Sequence, residues 1–284
     1  MKTFNWLTIF GILLIHSNLS TADNSDDDGD VPTNCTCGIV NKEDQFGVFR
    51  IVGGMGVKKN EWPMIAELSY EGKHYCAGTL VTARHVITAA QCGFYVNTLT
   101  PLPYERVDVN LGVHAVTGDR AFEGAQVFSI KQFIVHPKYQ PSTRDYDIAM
   151  ILLNGKVDFK LGKAIPVCLP VGNEWIDGDG VTALGWGATN FNSESTTKTL
   201  MKVNLKIIDN YECKINYKNF NKETQLCIYG KGKDTCEGDT GGPQLWKDLL
   251  TQKYVLMGVI SYRRNCGKLP SVNIKVLNFL QWIE

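Results

Sequence analysis

The chain has no surplus of charge of either sign, no apolar run long enough to cross a membrane, and no cluster of side chains at metal-ligand spacing. Twenty-nine basic residues balance twenty-nine acidic ones. Bulk electrostatics therefore point to neither a nucleic acid nor a membrane surface as partner. The basic pairs Lys58-Lys59 and Arg263-Arg264 are too short to change that and read as solvated faces. The apolar stretch from Phe4 to Ile15 is shorter than a membrane span. Preceded by Lys2 and followed by Ser20, Thr21 and Ala22, it reads as a secretory signal over residues 1–22. No internal repeat is visible, and no cofactor or metal is expected.

Nine cysteines are present, and a secreted, extracellular chain is free to pair them. Asn34-Cys35-Thr36 is a glycosylation acceptor pattern, whereas Asn18 falls inside the signal. After the signal, Asp26-Asp27-Asp28-Gly29-Asp30 sits among almost no apolar residues, the composition of a solvated spacer. From Ile51 onward short apolar runs recur between Gly, Pro and Asn: 64–68, 86–90, 127–135, 148–153, 203–208 and 255–260. This pattern predicts an all-β fold. Only Val276, Phe279, Leu280 and Ile283 fall at helical spacing, which predicts a short closing helix.

Several motifs appear in one order: Arg50-Ile51-Val52-Gly53-Gly54, Ala89-Ala90-Gln91-Cys92, Asp147-Ile148-Ala149, Pro166-Val167-Cys168-Leu169-Pro170, Gly185-Trp186-Gly187, and 234–243 with Gly238-Asp239-Thr240-Gly241-Gly242-Pro243. Over residues 51–284 the chain resembles the trypsin/chymotrypsin family, and looks most like secreted arthropod proteases such as venom and salivary ones. The resemblance implies two packed six-stranded antiparallel β-barrels with a cleft between them. It implies an activation bond at Arg50-Ile51, cut by a trypsin-like protease, and a pro-segment over residues 23–50. The freed amino group of Ile51 would then insert beside Asp239, since a buried ammonium needs a buried carboxylate. It also implies the pairs Cys76–Cys92, Cys213–Cys227 and Cys236–Cys266, and a bridge from Cys168 to Cys35 or Cys37 that tethers the pro-segment. One cysteine near the N-terminus is left over: free, capped by a small thiol, or linked to another chain. A calcium loop is not expected, because Leu111-Gly112 is followed by Val113 where the family's calcium loop has a glutamate.

Two of the three positions that carry the family's chemistry are changed: Gln91 stands for the general base and Thr240 for the nucleophile, while Asp147 keeps the orienting acid. An amide has no useful proton affinity at neutral pH, and a threonine hydroxyl attacks only with a base beside it. No other histidine is expected to substitute. His74 takes the place of a structural histidine, His85 faces away, His114 and His136 lie outside the cleft, and His16 leaves with the signal. The amides of Gly238 and Thr240 are expected to keep the oxyanion hole. Asp234 matches a trypsin-type pocket floor, but Arg263 and Ser271 stand where the family has pocket glycines. Arg263 either turns inward, pairs with Asp234 and plugs the pocket, or points to solvent. The long connection after Cys92, with Phe94, Tyr95, Pro101, Pro103 and Tyr104, is either a partner-binding ridge or an insertion packed on its own barrel. The expectation is a secreted protease homologue that binds a protein partner without cutting it, as a cofactor, decoy or toxin component. The alternative is a weak trypsin-like endopeptidase that uses Thr240.

Overall fold

The protein is described by a computed structural model covering residues 36–41, 50–51, 54–96, 98–116, 124–172, 177–188 and 196–284, with backbone alone at Arg50 and Ile51. The signal, the acidic spacer, Asn34 and Cys35 lie outside the described residues. Arg50–Ile51 (β1) pairs with Gly54–Gly56 (β2), so the bond expected to be cut sits at a hairpin edge.

Six strands follow: Ile65–Tyr70 (β3), Lys73–Leu80 (β4), His85–Thr88 (β5), Val107–Leu111 (β6), Gln126–Val135 (β7) and Ala149–Leu153 (β8). They close a barrel in the order β3-β4-β5-β8-β7-β6. A second set is Gly180–Gly185 (β9), Met201–Ile207 (β10), Gln225–Tyr229 (β11), Pro243–Lys247 (β12), Tyr254–Tyr262 (β13) and Ser271–Lys275 (β14). Pairing of β9 with both β10 and β12 closes this second antiparallel barrel, and the β1–β2 hairpin is added along β10.

The strands form where side-chain alternation separates core from water. In β10, Met201, Val203, Leu205 and Ile207 are buried while Asn204 and Lys206 are exposed. In β8, Ala149, Ile151 and Leu153 point inward. The second barrel has its own core of Val181, Leu205, Ile228, Met257 and Ile260. The larger core joins Leu68, Ile87 and Ile151 of the first barrel to Leu184, Leu245 and Val259 of the second. The cleft is thus flanked by two barrels that share apolar contacts.

The expected closing helix is present as a 3-10 turn at Val276–Phe279 followed by Leu280–Ile283 (α2). Phe279 and Trp282 pack edge-on against His136, whose other face stacks on Tyr146 at 5.0 Å. A second helix, Asn210–Asn216 (α1), has no strong periodicity. It starts at Asp209, whose carboxylate caps the Tyr211 amide at 2.8 Å.

Among the described residues four disulfides form: Cys37–Cys168, Cys76–Cys92, Cys213–Cys227 and Cys236–Cys266. The choice between Cys35 and Cys37 falls to Cys37, because Gly38 beside it docks into the second barrel. The Gly38 amide donates to the Pro166 carbonyl and the Tyr254 amide donates to the Gly38 carbonyl, each at 2.8 Å. Gly38 has φ +68°, and a Cβ there would collide with the Tyr254 carbonyl and the Cys168 sulfur.

Cys213 and Cys227 are fully buried, and their bridge fastens α1 to β11 across 14 residues. A Cys213→Ala, Cys227→Ala double variant leaves no unpaired hydroxyl. It is expected to lose about 3 kcal/mol of unfolding free energy, the loop-entropy value for a loop of that length. Urea midpoints check this; an unchanged midpoint would mean that α1 is held by packing alone.

Candidate active-site cleft

Segments from both barrels converge on a cleft of about 400 Å³. The first barrel supplies Tyr75 and Cys76 from β4 and Gln91 from the 3-10 turn Ala90–Gly93 after β5, with Asp147, two residues before β8, buried behind Gln91. The second barrel supplies the loop into β12 with Glu237, Gly238 and Thr240, and the end of β13 with Ser261, Tyr262 and Arg263.

Asp147 is wholly buried and accepts three hydrogen bonds. Oδ1 takes the Gln91 amide at 2.8 Å, and Oδ2 takes Gln91 Nε2 at 2.5 Å and Ser261 Oγ at 2.6 Å. Burial pushes the Asp147 carboxyl above the usual carboxylate range, and the bonds from Ser261 and Gln91 oppose that push. The second hydrogen of Gln91 Nε2 goes to the Ser261 carbonyl at 2.9 Å. Both amide hydrogens of Gln91 are therefore committed, and what remains is a carbonyl oxygen that accepts hydrogen bonds but not protons.

No histidine of the described residues lines the cleft. His74 Nε2 meets the Gly238 carbonyl at 2.8 Å and its Nδ1 meets Glu67 at 3.2 Å. His85 bonds Thr82 Oγ1 at 2.7 Å, and His136 is held in the aromatic group at α2. His114 receives the Trp186 indole on its backbone carbonyl at 3.1 Å.

The Thr240 loop is shaped by its glycines and by Asp239. Gly238 and Gly241 have φ +97° and +82°, and a Cβ on Gly241 would strike Thr88 Oγ1 and the Ala77 carbonyl. Within this loop the Cys236 amide goes to Asp239 Oδ2 at 2.7 Å. The Asp239, Gly241 and Gly242 amides go to the carbonyls of Cys236, Ile260 and Asp239. The Gly238 and Thr240 amides donate to no other described residue. The Thr240 carbonyl accepts from the Ala77 amide at 2.8 Å, which ties the loop to the first barrel.

Asp239 is turned inward and buried. Its Oδ1 accepts the Gly187 amide at 2.7 Å. A Cβ on Gly185 or Gly187 would overlap its carboxylate, so both glycines flanking Trp186 are required by Asp239. Burial raises the Asp239 carboxyl. The charge of Arg263, the Cys236 and Gly187 amides, and the charge of His74 oppose the rise. In the uncut chain Asp239 is thus satisfied by backbone amides, not by an ammonium.

The pocket residues divide. Arg263 turns inward, as one of the two expectations held, but its hydrogen bond goes to the Cys236 carbonyl and no ion pair with Asp234 forms among the described residues. Asp234 lies behind it, accepting the Thr235 amide at 2.8 Å and the Gly267 amide at 3.0 Å. Ser271 is 1% exposed and not on the cleft wall: β14 buries it, and its hydroxyl donates to the Ile228 carbonyl at 3.2 Å. The connection after Cys92 is packed on its own barrel at its base and exposed at its tip. Its base is packed, with Phe94 stacked on Tyr139 at 6.1 Å, Tyr104 on Phe133 at 5.1 Å, and Leu102 buried. Its tip lines the cleft rim, where Val96 is 85% exposed.

Glu67, Tyr139, Arg144 and the Ser261–Asp147 bond were not anticipated. Glu67 had a signal: an acid inside the apolar run 64–68 must have a buried partner, and it has His74 and Asn110.

Comparison with known proteins agrees with this geometry. The family model described as Trypsin matches residues 51–283. A venom serine protease 34 from Apis mellifera is 36% identical over 261 residues, covering 88% of this chain and 60% of that protein. A venom serine protease from Polistes dominula is 33% identical over 256 residues, covering 88% of each chain. A CLIP domain-containing serine protease HP8 from Bombyx mori is 31% identical over 287 residues, covering 93% of this chain and 75% of that one.

Burial pushes the Asp234 carboxyl up to about 6 from 3.8, against the Gly267 amide and the charge of Arg263. The folded state holds this proton more tightly than the unfolded chain. The stabilisation is therefore complete below 3.8 and is lost as pH rises through about 6. Relative to Asp234→Asn, the parent should lose about 2 to 3 kcal/mol of unfolding free energy between those pH values. Denaturant titrations of both proteins at each pH check this, with Asp147 and Asp239 common to the two.

Proposed function

The chain belongs to the trypsin family of serine proteases, and we propose that it is a secreted member that binds protein through its cleft without cutting it. The observation that carries this reading is the state of Gln91. Its amide hydrogens are held by Asp147 and the Ser261 carbonyl, at 2.5 and 2.9 Å. It therefore occupies the position of the base with nothing that takes a proton from Thr240. Arg263 at the cleft wall supports the same reading, because it stands in the path of a basic side chain bound for Asp234.

Cleavage after Arg50 acts as the shape switch. The new ammonium of Ile51 displaces backbone amides from the carboxylate of Asp239 and resets the loop that carries Gly238 and Thr240. The partner is a protein that the cleft holds: an inhibitor kept from other proteases, a protease that is assisted, or the target of a venom component. The venom names of two relatives favour the last setting. The four disulfides fit an extracellular site.

The test is hydrolysis of a small arginine ester after controlled cleavage at Arg50. In another protease of this mechanism, loss of the serine or the histidine costs on the order of a millionfold in turnover. The parent is therefore expected at background. Gln91→His with Thr240→Ser is also expected to stay silent, and adding Arg263→Gly is expected to give turnover. Turnover by the parent that Thr240→Ala abolishes would replace this reading with that of a weak threonine endopeptidase.

A further inference from the structure

Arg263 is not a neutral stopper. Its side chain is part of the cleft wall beside Gly238, Thr240 and Ser261, whereas Asp234 and Ser271 are not. Among the described residues its guanidinium makes one hydrogen bond, to the Cys236 carbonyl, and its Nε–H is buried with no acceptor. A guanidinium has five donors and holds its charge at any ordinary pH. A buried donor without a partner is costly. The acid behind it makes no direct bond to it: the oxygens of Asp234 accept the Thr235 and Gly267 amides, and Arg263 acts on Asp234 and on Asp239 only through space. A second cation, Arg144, stands on the same wall, where it donates to the Tyr139 hydroxyl at 3.1 Å. Glu237 is the one acid on that wall, and it is exposed to solvent. Among the described residues that line the wall, Arg263 and Arg144 are the cations and Glu237 the acid, while Asp234, Asp239 and Asp147 lie buried behind it. An arginine or lysine side chain entering it would meet a like charge in a partly desolvated space.

We infer that the cleft of this protein accepts a carboxylate from its partner polypeptide, with Arg263 as the residue that receives it. The planar fork of the guanidinium matches the two oxygens of a carboxylate, and such a pair is the strong form of hydrogen bond. The preference of a pocket floored by Asp234 is thereby reversed. The inference rests on the binding reading above and adds to it the chemistry of what is bound. An acidic side chain and a chain end offer the same group, and both belong in the test.

The test uses the full chain cut after Arg50 and four blocked peptides. Three are acetyl-Ala-Ala-Pro amides ending in Asp, Asn or Arg, and the fourth is acetyl-Ala-Ala-Pro-Ala as the free acid. Dissociation constants are read from NMR titrations. One or both carboxylate peptides are expected to bind at least about tenfold more tightly than the Asn peptide, the weight of a hydrogen bond to a charged group, and the Arg peptide is expected to bind least. The better of the two carboxylate peptides identifies the source. Arg263→Gln should remove the preference for the acid, and Arg263→Gly should admit the Arg peptide. The Gln variant keeps a polar stem and serves if the Gly variant does not fold. Tighter binding of the Arg peptide to the parent would overturn the inference, as would a preference for Asp over Asn that survives in Arg263→Gln, or no binding of either carboxylate peptide. Cleavage of a bound Asp peptide by the parent would instead overturn the non-cutting reading and leave the carboxylate preference standing.

Discussion

A carboxylate removed from water between two barrels has to find its hydrogen bonds there, and Asp147 finds them on both sides. Its partners are the backbone and side chain of Gln91 from the first barrel and the hydroxyl of Ser261 from the second. An unpaired charge in that place would cost several kcal/mol, so the three groups hold one geometry or the barrels part. Gln91 meets this demand as an imidazole would, by donating to Asp147. It fails the other demand on an imidazole, which is to accept a proton from the hydroxyl opposite. The substitution thus preserves the hydrogen bonds of Asp147 that hold the two sides of the cleft together.

The second barrel carries the same kind of constraint twice more. Asp239 is satisfied by the Gly187 and Cys236 amides, and glycines at 185 and 187 leave the room its carboxylate needs. Asp234 is satisfied by the Thr235 and Gly267 amides. Arg263 lends charge to both acids but bonds neither directly, and its side chain forms part of the cleft wall. The three buried acids take their hydrogen bonds from neutral donors, so among the described residues none of them holds a direct bond from either arginine of the cleft wall.

Much of the fold was legible because apolar alternation and turn residues are local signals. The runs at 64–68, 148–153 and 203–208 became β3, β8 and β10 within a residue or two. Strands such as Pro243–Lys247 and Ser271–Lys275 gave no comparable signal: they are short, and they bury polar residues that pair across the sheet, Gln244 with Asn273 and Ser271 with the Ile228 carbonyl. Helix α1 was silent for a similar reason, since seven residues held by a cap and a disulfide need little periodicity. Chemical identity was legible at the site. Glutamine and threonine at positions 91 and 240 limit proton transfer wherever they point.

By itself, the sequence determined the family, the residue types at positions 91 and 240 and the β pattern, because these depend on residue type and order along the chain. Tertiary structure alone decided matters of direction. It selected Cys37 for Cys168, since only the docking of Gly38 brings that sulfur within reach. It turned Arg263 toward the Cys236 carbonyl instead of Asp234, and it buried Ser271 behind the wall it was expected to line. Side-chain direction depends on which donors and acceptors neighbouring strands have already taken, and that is known only once the barrels have closed.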